Sequence, residues 1–385
     1  MGEAWFVDSV ISSRLRIQTR GTLLLGGSAA LVIVGLIRVD GAMASLGLAG
    51  LIFSAVAMVA ARMNLRGLSV DLMGAHTVAA GQRMRLIATL RNRRRGLDAF
   101  GIELALKIPG GDEAGTHAQW VAGRSAADAE ILAVPRQRGD FHEIPVSISS
   151  EFPFGLFRAK QSLPCSYRML VFPRPQVPVE LLASGAWVDD TTGSAVAAGE
   201  SHGEPRGLRP YRAGDAARSI AWPATLRSHA RGGGMIVREL DPPGFHPREA
   251  VVLFHSFGTD RALIRPDRFE RALSLAWGAL QHFQGQGIPV RLVADFDDWE
   301  SHSAGNRRLL GQCGEVLAKA RRALGTEAHE VQSILAGLDS STGVLVVSDM
   351  PMNAWSDSLR VTGPCVKIDV SRYESRRGRK GASDA

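Results

Sequence analysis

Residues 21–37 (GTLLLGGSAALVIVGLI) and 42–61 (AMASLGLAGLIFSAVAMVAA) contain no Asp, Glu, Lys, Arg or His. As helices rising 1.5 Å per residue they reach about 26 and 30 Å, against a hydrocarbon core of about 30 Å. Only residues 38–41 (RVDG) separate them, which predicts a tight hairpin of two spans. Arg14, Arg16 and Arg20 precede the first span, Arg62 and Arg66 follow the second, and the turn holds one Arg beside Asp40. That asymmetry predicts both termini on the cytoplasmic face of a cell membrane. The competing reading is a cleaved signal peptide with Ala42-Met43-Ala44 as its cleavage site, but the product would begin with another apolar run. No ionisable side chain lies within either span to suggest a proton or ion path, so the hairpin reads as an anchor.

The remaining composition is that of a globular body. At 385 residues the chain has room for two or three domains. Lys plus Arg is 45 against 38 Asp plus Glu, a net +7 that is too mild and too mixed in sign to indicate nucleic acid. Cys165, Cys313 and Cys365 are far apart and odd in number, with no CxxC pair and no zinc spacing; they read as small buried hydrophobes in a reducing compartment.

From about residue 67 to 175 the apolar residues alternate: Met84, Leu86, Ala88 and Leu90 in one run, Ile102, Leu104, Leu106 and Ile108 in another. Period two with turn signals between the runs predicts a β-sandwich (Ig-like) domain. Arg91, Arg93, Arg94 and Arg95 crowd one turn, either as a solvated loop or as a contact with anionic membrane lipid. Residues 176–246 read as a connector carrying a polar signature segment. From 247 to 371 the pattern is strand and helix in alternation. Strands are expected at 250–254, 289–294, 344–348 and 365–370. Between them run helices through Phe269–Phe283, through Leu309, Cys313, Val316, Leu317, Ala320 and Leu324, and over 331–338. This predicts an α/β layer with a parallel sheet. Residues 372–385 are polar and read as a disordered tail.

Few motifs carry chemistry. Gly199-Glu-Ser201-His-Gly203 matches the hydrolase nucleophile elbow, yet Pro205 and Pro210 follow at once and no strand–turn–helix can be built, so the match is read as chance. Gly232-Gly-Gly234 before a strand reads as a hairpin turn. The densest polar segment is 207–222 (GLRPYRAGDAARSIAW), where Arg209, Arg212 and Arg218 surround Asp215 and where Ile220 and Trp222 are spaced to enter a core. Arginines around a carboxylate either fix an irregular loop or present a surface to a partner's acidic groups.

That segment resembles the signature of the bacterial and archaeal domain of unknown function 58 family, at Arg209, Tyr211, Gly214, Asp215, Arg218, Ile220 and Trp222. Residues 153–157 (PFGLF) and 171–175 (VFPRP) resemble two further stretches of that family. The resemblance implies a membrane hairpin, a β domain and a C-terminal von Willebrand factor A-like α/β domain. It also implies partners among MoxR-type AAA+ ATPases and transglutaminase-like membrane proteins. The departures are Ala221 and Pro223, where the family carries Asp and Lys. At the end of the first α/β strand, an Asp-x-Ser-x-Ser metal-ion-dependent adhesion site is replaced by 254–259 (FHSFGT). His255, Ser256, Thr259 and Asp349 are then the remains of a degenerate site, with no metal and no cofactor expected, since a hard cation needs that first carboxylate. The expectation is a membrane-anchored interaction protein without catalytic residues, acting in assembly, maturation or envelope stress. The alternative is a membrane-bound hydrolase, for which only His255 and Ser256 offer candidates.

Overall fold

The computed structural model describes residues 14–182, 187–189, 205–212, 220–240, 247–259, 265–339 and 342–373. The chain divides into two compact units, Met1–Phe172 and Pro173–Ala385. The hairpin and the β domain thus form one body, and the connector belongs with the α/β part.

In the first unit, strand β1 (Arg14–Ile17) leads into helix α1 (Thr19–Ile37) and helix α2 (Gly41–Leu65). Both helices are long and apolar enough to cross a membrane. Val39 turns the chain with φ +57°, and Asp40 caps α2 by accepting from the amides of Ala42 (3.0 Å) and Met43 (3.2 Å). The helices meet through small residues, Ser28 and Gly35 (seven apart) on α1 against Ala44, Gly47 and Gly50 on α2, whereas the buried Gly21 lies against Leu156 O of the β domain. A Cβ on Gly47 would stand 2.6 Å from Ser28 O, and one on Gly35 would stand 2.5 Å from the Ala44 amide. Close approach of two backbones through small residues is the usual means of joining helices where lipid supplies no hydrophobic drive.

Arg14 and Arg16 do not simply flank a span, because β1 pairs antiparallel with β10 (Phe157–Leu163). The second apolar run also does more than span. Ala57, Ala61 and Leu65 are buried in the β core, and Asn64 donates to Phe100 O (2.7 Å) and Ser150 Oγ (2.8 Å) while accepting from Phe100 N (3.0 Å). The lengths left between Arg20 and Arg38, and between Asp40 and Ala57, are about 27 and 26 Å at helical rise.

The strands are β2 (Leu68–Gly74), β3 (Thr77–Ala79), β4 (Met84–Asn92), β5 (Ala99–Lys107), β6 (Glu113–Val121), β7 (Ala126–Ala133), β8 (Gly139–Glu143), β9 (Val146–Ser150), β10 and β11 (Ser166–Phe172). They form sheets in the orders β1-β10-β9-β5-β6, β2-β4-β7 and β3-β11-β8. Alternation is realised in β4, where Met84, Leu86, Ala88 and Leu90 face one shared core with Ile102, Leu104 and Leu106 of β5. The Arg-rich turn is partly structural: Arg94 donates to Met63 O (2.6 Å) at the end of α2 and to Asp98 O (3.1 Å), and Arg91 pairs with Asp71 (3.0 Å). Residues 153–157 serve the same junction. Leu156 O accepts from Gln18 N (3.0 Å), and the Phe154 ring lies 4.9 Å from that of Phe53 on α2.

In the second unit a six-stranded sheet runs β12 (Val188–Asp189), β19 (Pro364–Ile368), β18 (Gly343–Ser348), β15 (Ala250–His255), β16 (Val290–Ala294), β17 (Ser301–Ser303). The four central strands are parallel, and the short edges β12 and β17 are antiparallel. Every residue of β15 and β18 is buried, as expected of strands covered on both faces. The helices are α4 (Pro266–Gly285), α5 (Arg307–Lys319) and α6 (Ala328–Ala336). Leu324 falls beyond α5 and is exposed, because the helix ends at Ala320 in an extended conformation.

The connector is in part a strap. Gln176 N bonds Ser274 O (3.0 Å) on α4, where a Cβ on Gly278 would stand 2.2 Å from the Gln176 backbone, and Trp187 is buried beside Phe283. Arg372 and Tyr373 are not tail: they close the unit in a short 3-10 turn, with the Tyr373 hydroxyl bonded to Glu180 and accepting from Val179 N (2.7 Å). Strands β13 (Pro205–Pro210) and β14 (Ile236–Leu240) pair as a separate ribbon with helix α3 (Trp222–His229). Gly232, with φ +75°, joins α3 to β14, so the glycine run is a helix-to-strand turn instead of a hairpin.

Candidate functional site

The parallel sheet reverses direction at β15: the chain passes to β16 on one side and later returns to β18 on the other. Open α/β sheets bind ligands outside the carboxyl ends of the strands at such a switch point. Three polar residues stand there, one past each strand: Ser256 after β15, Asp295 after β16 and Asp349 after β18. The segment following α5 adds Arg322 and Thr326.

Ser256 N donates to Asp295 Oδ2 (2.5 Å), which also accepts from Thr326 Oγ1 (2.9 Å). Arg322 Nε donates to Asp349 Oδ2 (2.5 Å), and Nη2 reaches Ser256 O (3.1 Å) and Met350 Sδ (3.6 Å). The Asp349 side chain is 1% exposed and that of Arg322 is 19% exposed. Ser256 Oγ, Asp295 Oδ1 and Asp349 Oδ1 are enclosed with no hydrogen bond of normal geometry among the described residues. The hydroxyl is still close enough to help hold the Asp349 carboxyl down.

Burial dominates the electrostatics. It raises Asp295 to about 6, with the neighbouring Asp349 charge adding to the rise and the Ser256 and Thr326 donors opposing it. It also lifts Asp349, against the hydrogen bond and charge of Arg322.

Of the residues expected to mark a degenerate adhesion site, the structure joins two. Ser256 and Asp349 belong to the cluster. His255 does not: it is buried with its ring 4.9 Å from Trp355, edge to face, and burial lowers its pKa to about 3. The Phe257 backbone opposes that fall without a hydrogen bond of normal geometry to either ring nitrogen, so His255 is a neutral core residue. Thr259 is exposed on the loop, its amide bonded to Ala354 O (3.1 Å). Asp295 and Arg322 had no sequence signal beyond the position of Asp295 after an expected strand.

The signature segment is only partly described, since Gly214, Asp215 and Arg218 lie outside the described residues, as does the 199–203 match. Arg209 sits on β13 opposite Val237, with Nη1 bonded to Pro210 O (3.2 Å), and Tyr211 N bonds Met235 O (2.9 Å). Trp222 does not enter a core: it opens α3 and is 60% exposed, while Ala221 beside it is buried and donates to Ile236 O (2.9 Å). Leu208, Tyr211, Leu226 and Met235 are exposed on the same substructure.

Among the described residues, Asp297, Glu300 and His302 form a further group whose ligand atoms lie within 4.8 Å of one another. His302 Nε2 contacts Asp297 Oδ2 at 2.5 Å, and both line a cavity of about 450 Å³ with Gln312, Glu315 and Lys319.

No protein-family model matches the chain, and no curated protein matches it. Solved structures match in part. A CARDB domain from Pyrococcus furiosus, crystallised in complex with di-metal ions, is 12% identical over 27% of this chain and 86% of that one, with a TM-score of 0.19. The sporulation control protein Spo0M of Bacillus subtilis is 12% identical over 28% and 50%, with a TM-score of 0.17. Superoxide reductase (neelaredoxin) from Ignicoccus hospitalis is 11% identical over 27% and 84%, with a TM-score of 0.15. Scores this low bear on no functional assignment.

Proposed function

We propose that this chain is a membrane-anchored, cytoplasm-facing adaptor whose α/β unit has the von Willebrand factor A-like form and docks a protein partner, a MoxR-type AAA+ ATPase. The observation that carries the reading is the surface of β13, β14 and α3. Leu208, Tyr211, Trp222, Leu226 and Met235 are all exposed there, on an element that also bears Arg209. Exposed aromatic and aliphatic side chains with arginine are the composition of protein-binding surfaces. The parallel strands β16-β15-β18-β19 with antiparallel β17 at the edge support the A-like form. An Ig-like reading of the β sheets in the first unit rests on their alternation and shared core.

The anchor is supported by the two apolar helices and by their attachment. The strand before α1 and the last turn of α2 are both tied into one β body, which supports a reading in which the pair crosses twice and returns the chain to the side it left. The outer arginines orient that body to the cytoplasm. The work such an adaptor performs with an ATPase would be assembly, maturation or an envelope-stress response, with a transglutaminase-like membrane protein as a second partner.

Cross-linked pull-down from native membranes tests the reading. Wild type should capture the ATPase, and a Tyr211→Ala/Trp222→Ala double variant with unchanged thermal unfolding should lose capture by about tenfold or more, as expected for aromatic hot spots. Undiminished capture by the folded double variant, or no ATPase in the wild-type eluate, would overturn it.

A further inference from the structure

The A-like form implies a divalent metal ion at the strand ends, and the residues present do not fit one. A hard cation such as Mg²⁺ or Mn²⁺ needs near-octahedral oxygen ligands, carboxylates first. Here Asp349 Oδ2 is taken by Arg322 Nε at 2.5 Å, and Asp295 Oδ2 by Ser256 N at 2.5 Å and Thr326 Oγ1 at 2.9 Å. The Arg322 guanidinium is further held by Ser256 O (3.1 Å) and Ala323 O (3.4 Å), so one side chain ties together the loops after β15 and β18 and its own segment. The protein oxygens left open are Asp295 Oδ1, Asp349 Oδ1 and Ser256 Oγ. A dication bound to them would share a carboxylate with a fixed positive charge, and the repulsion is strong in so enclosed a place.

We infer that Arg322 is the resident cation of this cluster, filling the role that a divalent metal takes in adhesion-type domains and closing the site to metal. The inference rests on the A-like reading of the α/β unit, but not on any partner. A planar guanidinium is suited to the position because it stays charged and directs several donors at acceptors from separate loops. Without it, two buried carboxylates would face each other with no counter-charge. The cluster would then become a vacant pair of acids with a hydroxyl, a set that a hard cation can use.

The test uses the full chain in lipid nanodiscs, followed by calorimetry and by thermal unfolding with MgCl₂ and with MnCl₂. Wild type should show no heat of binding and no rise in Tm, up to about 5 mM of either metal, that Asp349→Asn removes. Arg322→Ala should unfold several degrees lower and recover with Mn²⁺, and Arg322→Ala/Asp349→Asn should lose that recovery. Should Arg322→Ala not fold, Arg322→Gln gives the same reading, because it keeps a donor for Asp349 and the Ser256 carbonyl but removes the charge, and Mn²⁺ should bind it where wild type shows no binding at the cluster. Micromolar metal binding by wild type that Asp349→Asn abolishes would overturn the inference, whereas binding at Asp297, Glu300 and His302 would survive that change. So would a folded Arg322→Ala, or in its place a folded Arg322→Gln, that gains no affinity for Mn²⁺ overturn it. Partner capture enters none of these readouts, so failure here is separable from failure of the adaptor reading.

Discussion

Asp295 shows how one position couples the cluster to pH. Its ordinary value of 3.8 is raised to about 6 in the folded chain, chiefly by burial. The folded state therefore holds the proton more tightly than the unfolded one, and the stability associated with it is lost as pH rises from about 4 to about 6. Asp295→Asn keeps an oxygen to accept from Ser256 N and Thr326 Oγ1 but removes the charge. Urea unfolding should show the variant more stable than wild type by up to about 3 kcal/mol above pH 7 and no different below pH 4. A constant difference across that range would refute the assignment. At this scale Ser256 and Asp349 were legible because each follows an apolar run that reads as a buried strand. Arg322 was not: it sits beside Arg321 in an irregular segment, 66 residues from the Ser256 carbonyl that it binds. Only folding brings such a pair together. Trp222 reversed its expected role for a similar reason, because spacing says which residues share a face and not whether anything covers it.

Between elements, the two apolar helices depend on contacts that a hydropathy pattern does not register. Gly47 lies against Ser28 and Val32, while a Cβ on Gly26 would meet nothing within 4 Å. Gly47→Leu should therefore weaken the helix pair by about 1–3 kcal/mol, as overpacking does, and Gly26→Leu should not. Thermal unfolding in nanodiscs distinguishes the two, and equal effects would show that the seam is misassigned. The spacing of small residues was present in the sequence and is the signal that could have revealed this face. The long strands β4 and β5 were readable because nine residues give a full alternation. The edges β12 and β17, two and three residues long, gave no periodicity to read. Gln176 passing over Gly278 of α4 is likewise a contact between segments a hundred residues apart, with no local signature.

At the scale of the molecule, the hairpin is part of the first folded unit as much as a tether. β1 covers one edge of β10, and Ala57, Ala61, Asn64 and Leu65 complete the core and its hydrogen bonds. A fragment of residues 67–172 should therefore expose an unpaired strand edge and an open core, and should aggregate or unfold where the full unit in a nanodisc is stable. A monomeric, cooperatively unfolding 67–172 fragment would contradict that dependence. By itself the sequence determined the properties that are local or averaged: two charge-free runs near the length of a bilayer, half-buried strands, then buried strands alternating with helices. Hydrophobic periodicity and hydrophobic length are one-dimensional, so a chain displays them before it folds. The tertiary structure alone decided the rest. It assigned the end of the second apolar run to the β core, drew the N-terminal strand into a sheet, and closed the strand-end carboxylates with an arginine. Each of these is a contact between residues far apart in the chain, fixed by which buried polar groups find partners when the units close.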